Sequence, residues 1–285
     1  MKTIRAEIVA AFVDERNGGN LAGVVLDEPD LTEAQMQEVA RQVALPETVF
    51  VRAVPDGFFT DFFTPTKRVP DCGHATVAAF GLLAERDRIV GEHTIKHTVN
   101  GPRAMRVGAS GVFMQQLPPR YETVAEPRAV LASLGLEDAG VLAGAPTVAR
   151  HDVGFLIVPL RDALTLSTLQ PDLDRIAAIS AQLDIIGYYV FAPGSEGVDA
   201  TVRMFAPHFG IPEESATGMA AGLLSGYLYD RAGQKRESFT IEQGVYMATP
   251  SPSLIHSRPV VRDGAIAEVW VGGHARRQGE RQLEV

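Results

Sequence analysis

The segment Asp71–Leu83, DCGHATVAAFGLL, places one cysteine and one histidine at the head of an otherwise almost wholly apolar run. Asp71 is a suitable N-cap, and Ala75, Val77, Ala78, Ala79, Phe80, Leu82 and Leu83 leave a helix here almost no polar face. A helix that is apolar all round is buried on all sides. Its first N–H groups then lack both intrahelical partners and water, and the helix dipole makes an anion their natural acceptor. The arrangement recurs in Ser215–Leu228, SATGMAAGLLSGYL, a second helix with no charged face. Two such N-termini suit the binding of an anion. The titratable groups beside them are Cys72 and His74 at the first, Glu213 and Glu214 at the second.

Other chemistries lack their signatures. There is no G-x-G-x-x-G after a strand, no G-x-x-x-x-G-K-[ST], no H-E-x-x-H and no G-x-S-x-G. His93 and His97 lie in an alternating stretch, where residues four apart share a face but stand ~13 Å apart. With no third ligand near in sequence, a solvated strand is the better reading than a metal pair. No metal and no bound cofactor is signalled, so any chemistry rests on ordinary side chains.

The elements that must hold these residues alternate short strands with helices. Ile8–Val13 and Ala22–Leu26 read as a strand pair around a turn at Asn17-Gly18-Gly19-Asn20. Thr32-x-x-Gln35 is a capping-box pattern, and Met36, Val39, Ala40 and Val43 follow at i, i+3, i+4 and i+7, which predicts a helix over Thr32–Ala44. Pro46 stops it, and Thr48–Ala53 returns as a strand, so Glu47 sits on the joint. Strands follow within Gly101–Leu117, and Leu117-Pro118-Pro119-Arg120 is a stiff, non-helical joint. The second half reads as a helix around Pro127–Leu134, strand Gly154–Pro159, helix Leu173–Leu183, strands Gly187–Phe191 and Asp199–Phe205, then late strands at Ser238–Ile241, Val245–Thr249 and Ile266–Val271. Many strands per helix is an α+β pattern.

The two apolar helices align at an offset of 141 residues: Ala75 with Ala216, Thr76 with Thr217, Ala79 with Ala220, and Gly81-Leu82-Leu83 with Gly222-Leu223-Leu224. After a one-residue slip, Phe63-x-Pro65 meets Phe205-x-Pro207 and Val69-Pro70-Asp71 meets Ile211-Pro212-Glu213. A repeat at about half the chain length indicates a duplicated domain, with the domains predicted as residues 1–119 and 120–285 and the last residues free to pack back on the first.

Composition bounds the remaining classes. The 285 residues are 46% hydrophobic and 21% charged, which excludes a disordered, collagenous or coiled-coil chain. A net charge of −9 makes nucleic acid an unexpected partner. The single cysteine, Cys72, excludes an internal disulfide framework and a thiolate zinc cluster. No apolar run approaches the ~18 residues of a membrane span. Met1–Val13 has the basic start of a leader but an apolar run of only six residues between Glu7 and Asp14, so it reads as a strand. The expectation is a cytoplasmic protein that handles a small molecule and engages no membrane.

In order along the chain, Asn17-Gly18-Gly19-Asn20-Leu21-Ala22-Gly23-Val24-Val25 resembles the opening G-N-P-x-x-V-V of the phenazine-biosynthesis PhzF-like family. Leu45-Pro46-Glu47-Thr48-Val49-Phe50 resembles its L-S-E-T-x-F, and Cys72-Gly73-His74-Ala75-Thr76 matches its C-G-H-A-T. Phe205-Ala206-Pro207 with Glu213–Ala220 resembles F-A-P…E-D-P-A-T-G-S-A, Glu242-Gln243-Gly244 the late E-Q-G, and Val271-Gly272-Gly273 the terminal V-G-G. The family shares the fold of diaminopimelate epimerase. The resemblance implies two pseudo-symmetric domains, each a curved, largely antiparallel sheet around a central buried helix. It implies a site in the cleft between them, a homodimer, and an isomerase without metal or cofactor that moves a proton between carbons of a small carboxylate.

Carried over by position, the resemblance makes Glu47 the general base and then acid, for which burial would tune its pKa upward. His74 and Glu214 would act on or orient the substrate, with Asn20, Gly73, Ala75, Thr217, Gly218 and Met219 binding it. Without the resemblance, Glu47 reads more simply as an exposed glutamate after a helix end, and His74 as a first-turn histidine bonded to nearby backbone. The chain departs from the family at Glu214, where aspartate is usual, at Ser215 for proline and at Met219 for serine. Glu213 is positioned to substitute for Glu214. These departures keep open a binding protein on the same fold with its chemistry lost. Cys72, aligned with the first cysteine of two-base epimerases and expected at a lowered pKa at a helix start, leaves a Cys72/Glu214 epimerase as a further alternative. A small buried thiol is the simpler reading of Cys72.

Overall fold

The computed structural model describes residues 2–28, 30–137 and 139–285. Met1, with which the stretch weighed above as a leader begins, lies outside the described residues, as do Pro29 and Asp138. The chain divides into two compact units, Met1–Gln115 with Gly272–Val285, and Gln116–Val271.

In the first unit, β1 (Thr3–Val13) pairs antiparallel with β2 (Asn20–Leu26), α1 (Glu33–Val43) follows, and β3 (Glu47–Val54) lies parallel to β2. β4 (Gly57–Phe63) is antiparallel to β3 and to the short β5 (Arg68–Val69). After α2 (Gly73–Glu85), β6 (His93–Thr98) lies parallel to β4, and β7 (Gly101–Gly108) and β8 (Gly111–Gln116) continue antiparallel. α2 packs against β1, β2, β3 and β7, so the sheet wraps around it. Its residues Gly73–Phe80, Leu82 and Leu83 are buried, as a helix without a polar face requires.

In the second unit, β9 (Arg120–Thr123) is followed by α3 (Pro127–Ser133) and pairs antiparallel with β10 (Thr147–Arg150). β11 (Gly154–Pro159) is antiparallel to β10. Then come α4 (Ala163–Ser167), α5 (Leu173–Gln182) and β12 (Gly187–Pro193), which is parallel to β11. β13 (Ala200–Ala206) is antiparallel to β12 and to β14 (Ile211–Glu214). After α6 (Gly218–Asp230), β15 (Phe239–Gln243) is parallel to β13 and antiparallel to β16 (Ser253–Arg262). Asp263 and Gly264, with φ 52° and 80°, turn the chain into β17 (Ala265–Glu284), the double-positive geometry that Asp-Gly hairpins favour. α6 packs on β10, β11 and β16.

The duplication is explicit in the pairings. From β1 to β7 they run antiparallel, parallel, antiparallel, antiparallel, parallel, antiparallel, and β10 to β16 repeat that order. In each copy a 13-residue buried helix follows the fifth strand. This is the predicted α+β fold with largely antiparallel sheets. Val245–Thr249, expected as a strand, is instead a run of turn and bend, because Gly244 takes φ 84° and breaks the β15 direction. The strand lies further on, in β16. Among the described residues no helix is long and apolar enough to cross a membrane.

One buried charge in the first unit predicts an acid response. Glu7, 2% exposed, accepts from Arg86 and, at 2.6 Å, from Arg277 Nε, joining β1, the end of α2 and β17. Burial pulls its pKa up, but the two guanidinium groups outweigh it and hold it below the usual 4.5. A depressed folded-state pKa gives stability that is present above the unfolded value and lost as pH falls through the folded one. Glu7→Gln is therefore expected to be less stable than wild type at pH 7, with the gap closing below pH 4; urea titrations at the two pH values read it.

Candidate active site

The turn before β3 delivers Glu47. Thr32 caps α1 with both halves of the capping box, accepting from Gln35 N and taking the Gln35 side chain on its own N–H, as the sequence predicted. Ala44 ends the helix in the left-handed region (φ 50°, ψ 37°), and Pro46 cannot extend it. Glu47 is then the first residue of β3, in register with Ala22 of β2. Its side chain lies on the same face as Ala22 and Asn20, which is 3% exposed two residues earlier. Glu47 itself is 7% exposed, so it is not the surface glutamate that the local sequence suggests.

His74, 2% exposed, meets it from the first turn of α2: Nε2 stands 3.2 Å from Glu47 Oε2, while Nδ1 stands 3.4 Å from Cys72 Sγ. The Cys72 thiol titrates at about 11, raised first by burial and then by the Glu47 charge, against a smaller lowering by His74. This corrects the expectation of a lowered pKa: a helix start lowers a thiol pKa only where the group is not wholly desolvated. A thiol that keeps its proton can donate to Nδ1, the tautomer that carries the imidazole proton on Nε2, 3.2 Å from Glu47 Oε2 but not aligned on it as a hydrogen bond. Cys72, His74 and Glu47 thus form one buried cluster with the imidazole between thiol and carboxylate. Their donor atoms lie within 4.8 Å of one another and are of the kinds that hold zinc. The imidazole, however, meets its neighbours through opposite nitrogens, and a metal would need the thiolate.

The helix start is one residue later than predicted. Cys72, not Asp71, is the N-cap, and Thr76 N to Cys72 O (3.1 Å) is the first intrahelical bond, so the N–H groups of Gly73, His74 and Ala75 precede it. Asp71 acts from outside: its Oδ1 accepts from Cys72 N at 2.7 Å. Lys96 on β6 holds that carboxylate through Nζ at 2.7 and 2.9 Å and reaches Thr76 Oγ1 at 3.3 Å. Thr76 in turn donates to Cys72 O at 2.7 Å, so the Cys72 backbone is fixed on both sides. Sequence reasoning missed Lys96. In the His93–Val99 alternation Ile95 and Val99 are the apolar set, yet Lys96 is 1% exposed while His93 is on the surface and His97 pairs with Asp56 at 2.9 Å. Lys96→Met strands the Asp71 charge and is expected to cost about 3 kcal/mol, the low end for breaking a buried pair because Asp71 is partly exposed. Adding Asp71→Asn, which keeps an acceptor for Cys72 N–H, is expected to restore part of it in urea titrations.

The second unit builds a related cluster. Glu214 ends β14, 9% exposed, and Thr217 Oγ1 donates to its carboxylate in a short hydrogen bond. α6 begins at Gly218, not Ser215: Ser215, Ala216 and Thr217 form the connecting turn, held open from the helix by Gln243. That amide donates to Glu214 O at 2.7 Å and accepts from Thr217 N at 3.1 Å and Tyr189 Oη at 3.0 Å. The N–H groups of Gly218, Met219 and Ala220 precede the first intrahelical bond, Ala221 N to Thr217 O. Ser215 is buried in the turn and Met219 half-buried in the first helical turn. Glu213, expected as an alternative to Glu214, is committed elsewhere: on the opposite face of β14 it is held by both Arg203 Nε (2.8 Å) and Nη2 (2.9 Å). The signal for Gln243 was the Glu242-Gln243-Gly244 motif, which carries no role in the sequence alone.

The chain matches known proteins over nearly its whole length. The model of the PhzC-PhzF family, phenazine biosynthesis-like protein, matches residues 9–279. A Deinococcus radiodurans protein described as an uncharacterized isomerase is 38% identical over 95% of this chain and 92% of its own length. The trans-2,3-dihydro-3-hydroxyanthranilate isomerase of Pseudomonas aeruginosa is 30% identical over 98% of this chain and 99% of its own. The crystal structure of a Bacillus anthracis PhzF-family protein superposes with a TM-score of 0.87 over the full length of both chains, at 24% identity, and so shares the fold. The order of motifs, the duplicated pairing and these matches agree: the chain belongs to the PhzC-PhzF, phenazine biosynthesis-like family and is an isomerase of it.

Proposed function

We propose that the protein moves a proton from one carbon to another of a small carboxylate substrate, with Glu47 taking the proton and returning it. The observation that carries this reading is the Glu47 carboxylate, buried 3.2 Å from His74 Nε2 at the first turn of α2. A carbon acid yields its proton only to a base fixed within hydrogen-bond distance and shielded from water. Enolate-like charge developing on the substrate would be met by the Gly73 N–H and by the Ala75 N–H, which also faces the Cys72 thiol. Asn20 in the first unit, and Glu214, Thr217, Gly218 and Met219 in the second, are proposed as further substrate-binding residues. The Pseudomonas relative acts, by its name, on an anthranilate derivative, itself a carboxylate, which makes trans-2,3-dihydro-3-hydroxyanthranilate the first compound to try.

The test is deuterium uptake from heavy water into that compound and a panel of unsaturated, cyclic and amino-acid carboxylates, read by mass spectrometry. Glu47-dependent uptake into any of them supports the proposal; uptake that continues in Glu47→Gln overturns it. Cys72→Ser separates this mechanism from a two-base epimerase. A serine hydroxyl keeps a donor for His74 Nδ1, so turnover is expected to stay within about tenfold of wild type. A catalytic thiolate would make the loss about a thousandfold or more. The pKa of about 11 favours the first outcome.

A further inference from the structure

Apart from every residue given a role above, the second unit contains a concavity of about 450 Å³ where the ends of β11, β12 and α6 meet β9. That is the size of a small-ligand site. Tyr227 and Phe191 line it with ring centroids 6.0 Å apart, crossed at 72°. Tyr227 is 7% exposed, and among the described residues its hydroxyl has no hydrogen bond. Gly144 stands opposite: a Cβ there would come within 3.1 Å of that hydroxyl, so glycine keeps the space beside it open. The hydroxyl opens into the concavity, where an acceptor on a ligand can meet it in place of water.

A cation completes the wall. Arg231 follows α6 and lies over the Tyr121 ring at 5.0 Å, in no ion pair with a carboxylate among the described residues. The neighbouring polar groups are already committed. Tyr121 Oη donates to Asp230 Oδ2 at 3.1 Å, and Glu122 on the rim accepts from Arg150 Nε at 3.0 Å. The Tyr227 hydroxyl and the Arg231 guanidinium are donors open to a ligand, set against an aromatic surface. We propose that this concavity binds a small aromatic monocarboxylate, its ring against Phe191 and Tyr227 and its carboxylate between Tyr227 and Arg231, as a site separate from the isomerase residues.

Benzoate is the probe, titrated into the full chain carrying ring-labelled tyrosine and followed by NMR, with signals assigned by Tyr121→Phe and Tyr227→Phe. The expected result is a saturable shift of the Tyr227 and Tyr121 signals. Benzyl alcohol, which lacks the charge, is expected to bind roughly tenfold or more weakly, and Arg231→Gln to weaken benzoate by a similar factor. Glu47→Gln should leave the titration unchanged. No saturable shift, equal shifts with benzyl alcohol, or full affinity in Arg231→Gln would overturn the proposal. Loss of the shift in Glu47→Gln would assign benzoate to the isomerase residues instead. Tyrosine shifts that follow protein concentration without benzoate would assign the concavity to contact between copies, and would equally overturn it.

Discussion

Glu47→Gln is expected to reduce turnover and deuterium uptake by about a thousandfold or more, the upper part of the range for a general acid–base group, since one residue is asked to serve both half-reactions. The substitution is nearly isosteric and keeps a polar group beside His74 Nε2, at the 3.2 Å contact of the pair. What it removes is the capacity to take a proton. Unfolding curves should therefore shift little while the rate collapses, which separates loss of chemistry from loss of structure. Glu47→Asp gives an independent check. Shortening the side chain by one methylene withdraws the carboxylate by ~1 Å, enough to cost about a hundredfold in a positioned proton transfer. If Glu47→Gln retains wild-type turnover, the base is elsewhere.

The part of this site that a sequence reveals is local. The capping box of α1, its stop at Pro46 and the two helices without polar faces follow from spacing and residue type, and they set Glu47 on a joint and His74 at a buried helix start. Long-range pairing was invisible for a physical reason. Lys96 lies in a strand whose alternation assigns it to solvent, and only the fold brings Asp71 and Thr76 to its ammonium, turning an apparent surface charge into the clasp on Cys72. The same blindness applied to Glu213 and Glu214. Adjacent in sequence, they read as interchangeable, yet the alternation of β14 sends one to Arg203 and the other to Thr217. The thiol of Cys72 was misjudged because a helix-start argument weighs the dipole and not complete burial.

Gly244→Ala is expected to destabilise the second unit by about 3–5 kcal/mol and, in the protein that remains folded, to impair turnover. Gly244 takes φ 84°, and a Cβ there would sit 2.2 Å from Ser251 O and 2.9 Å from Ser215 O. Both are backbone atoms, so no side chain can rotate aside. Ser251 is also tied back, its N–H donating to Gly244 O at 3.0 Å. Ser215 belongs to the turn whose next members, clamped by Gln243, carry Thr217 and the Glu214 carboxylate. The added methyl therefore pushes on the segment that positions Glu214. Gly264→Ala is the matched control. It takes φ 80° but would meet nothing within 4 Å, so it should cost only the left-handed penalty of about 1 kcal/mol. A loss several-fold larger at position 244 than at 264 in urea titrations identifies the close approach, rather than the dihedral alone, as what the third residue of Glu242-Gln243-Gly244 is there to permit. Equal losses would leave the motif without that explanation.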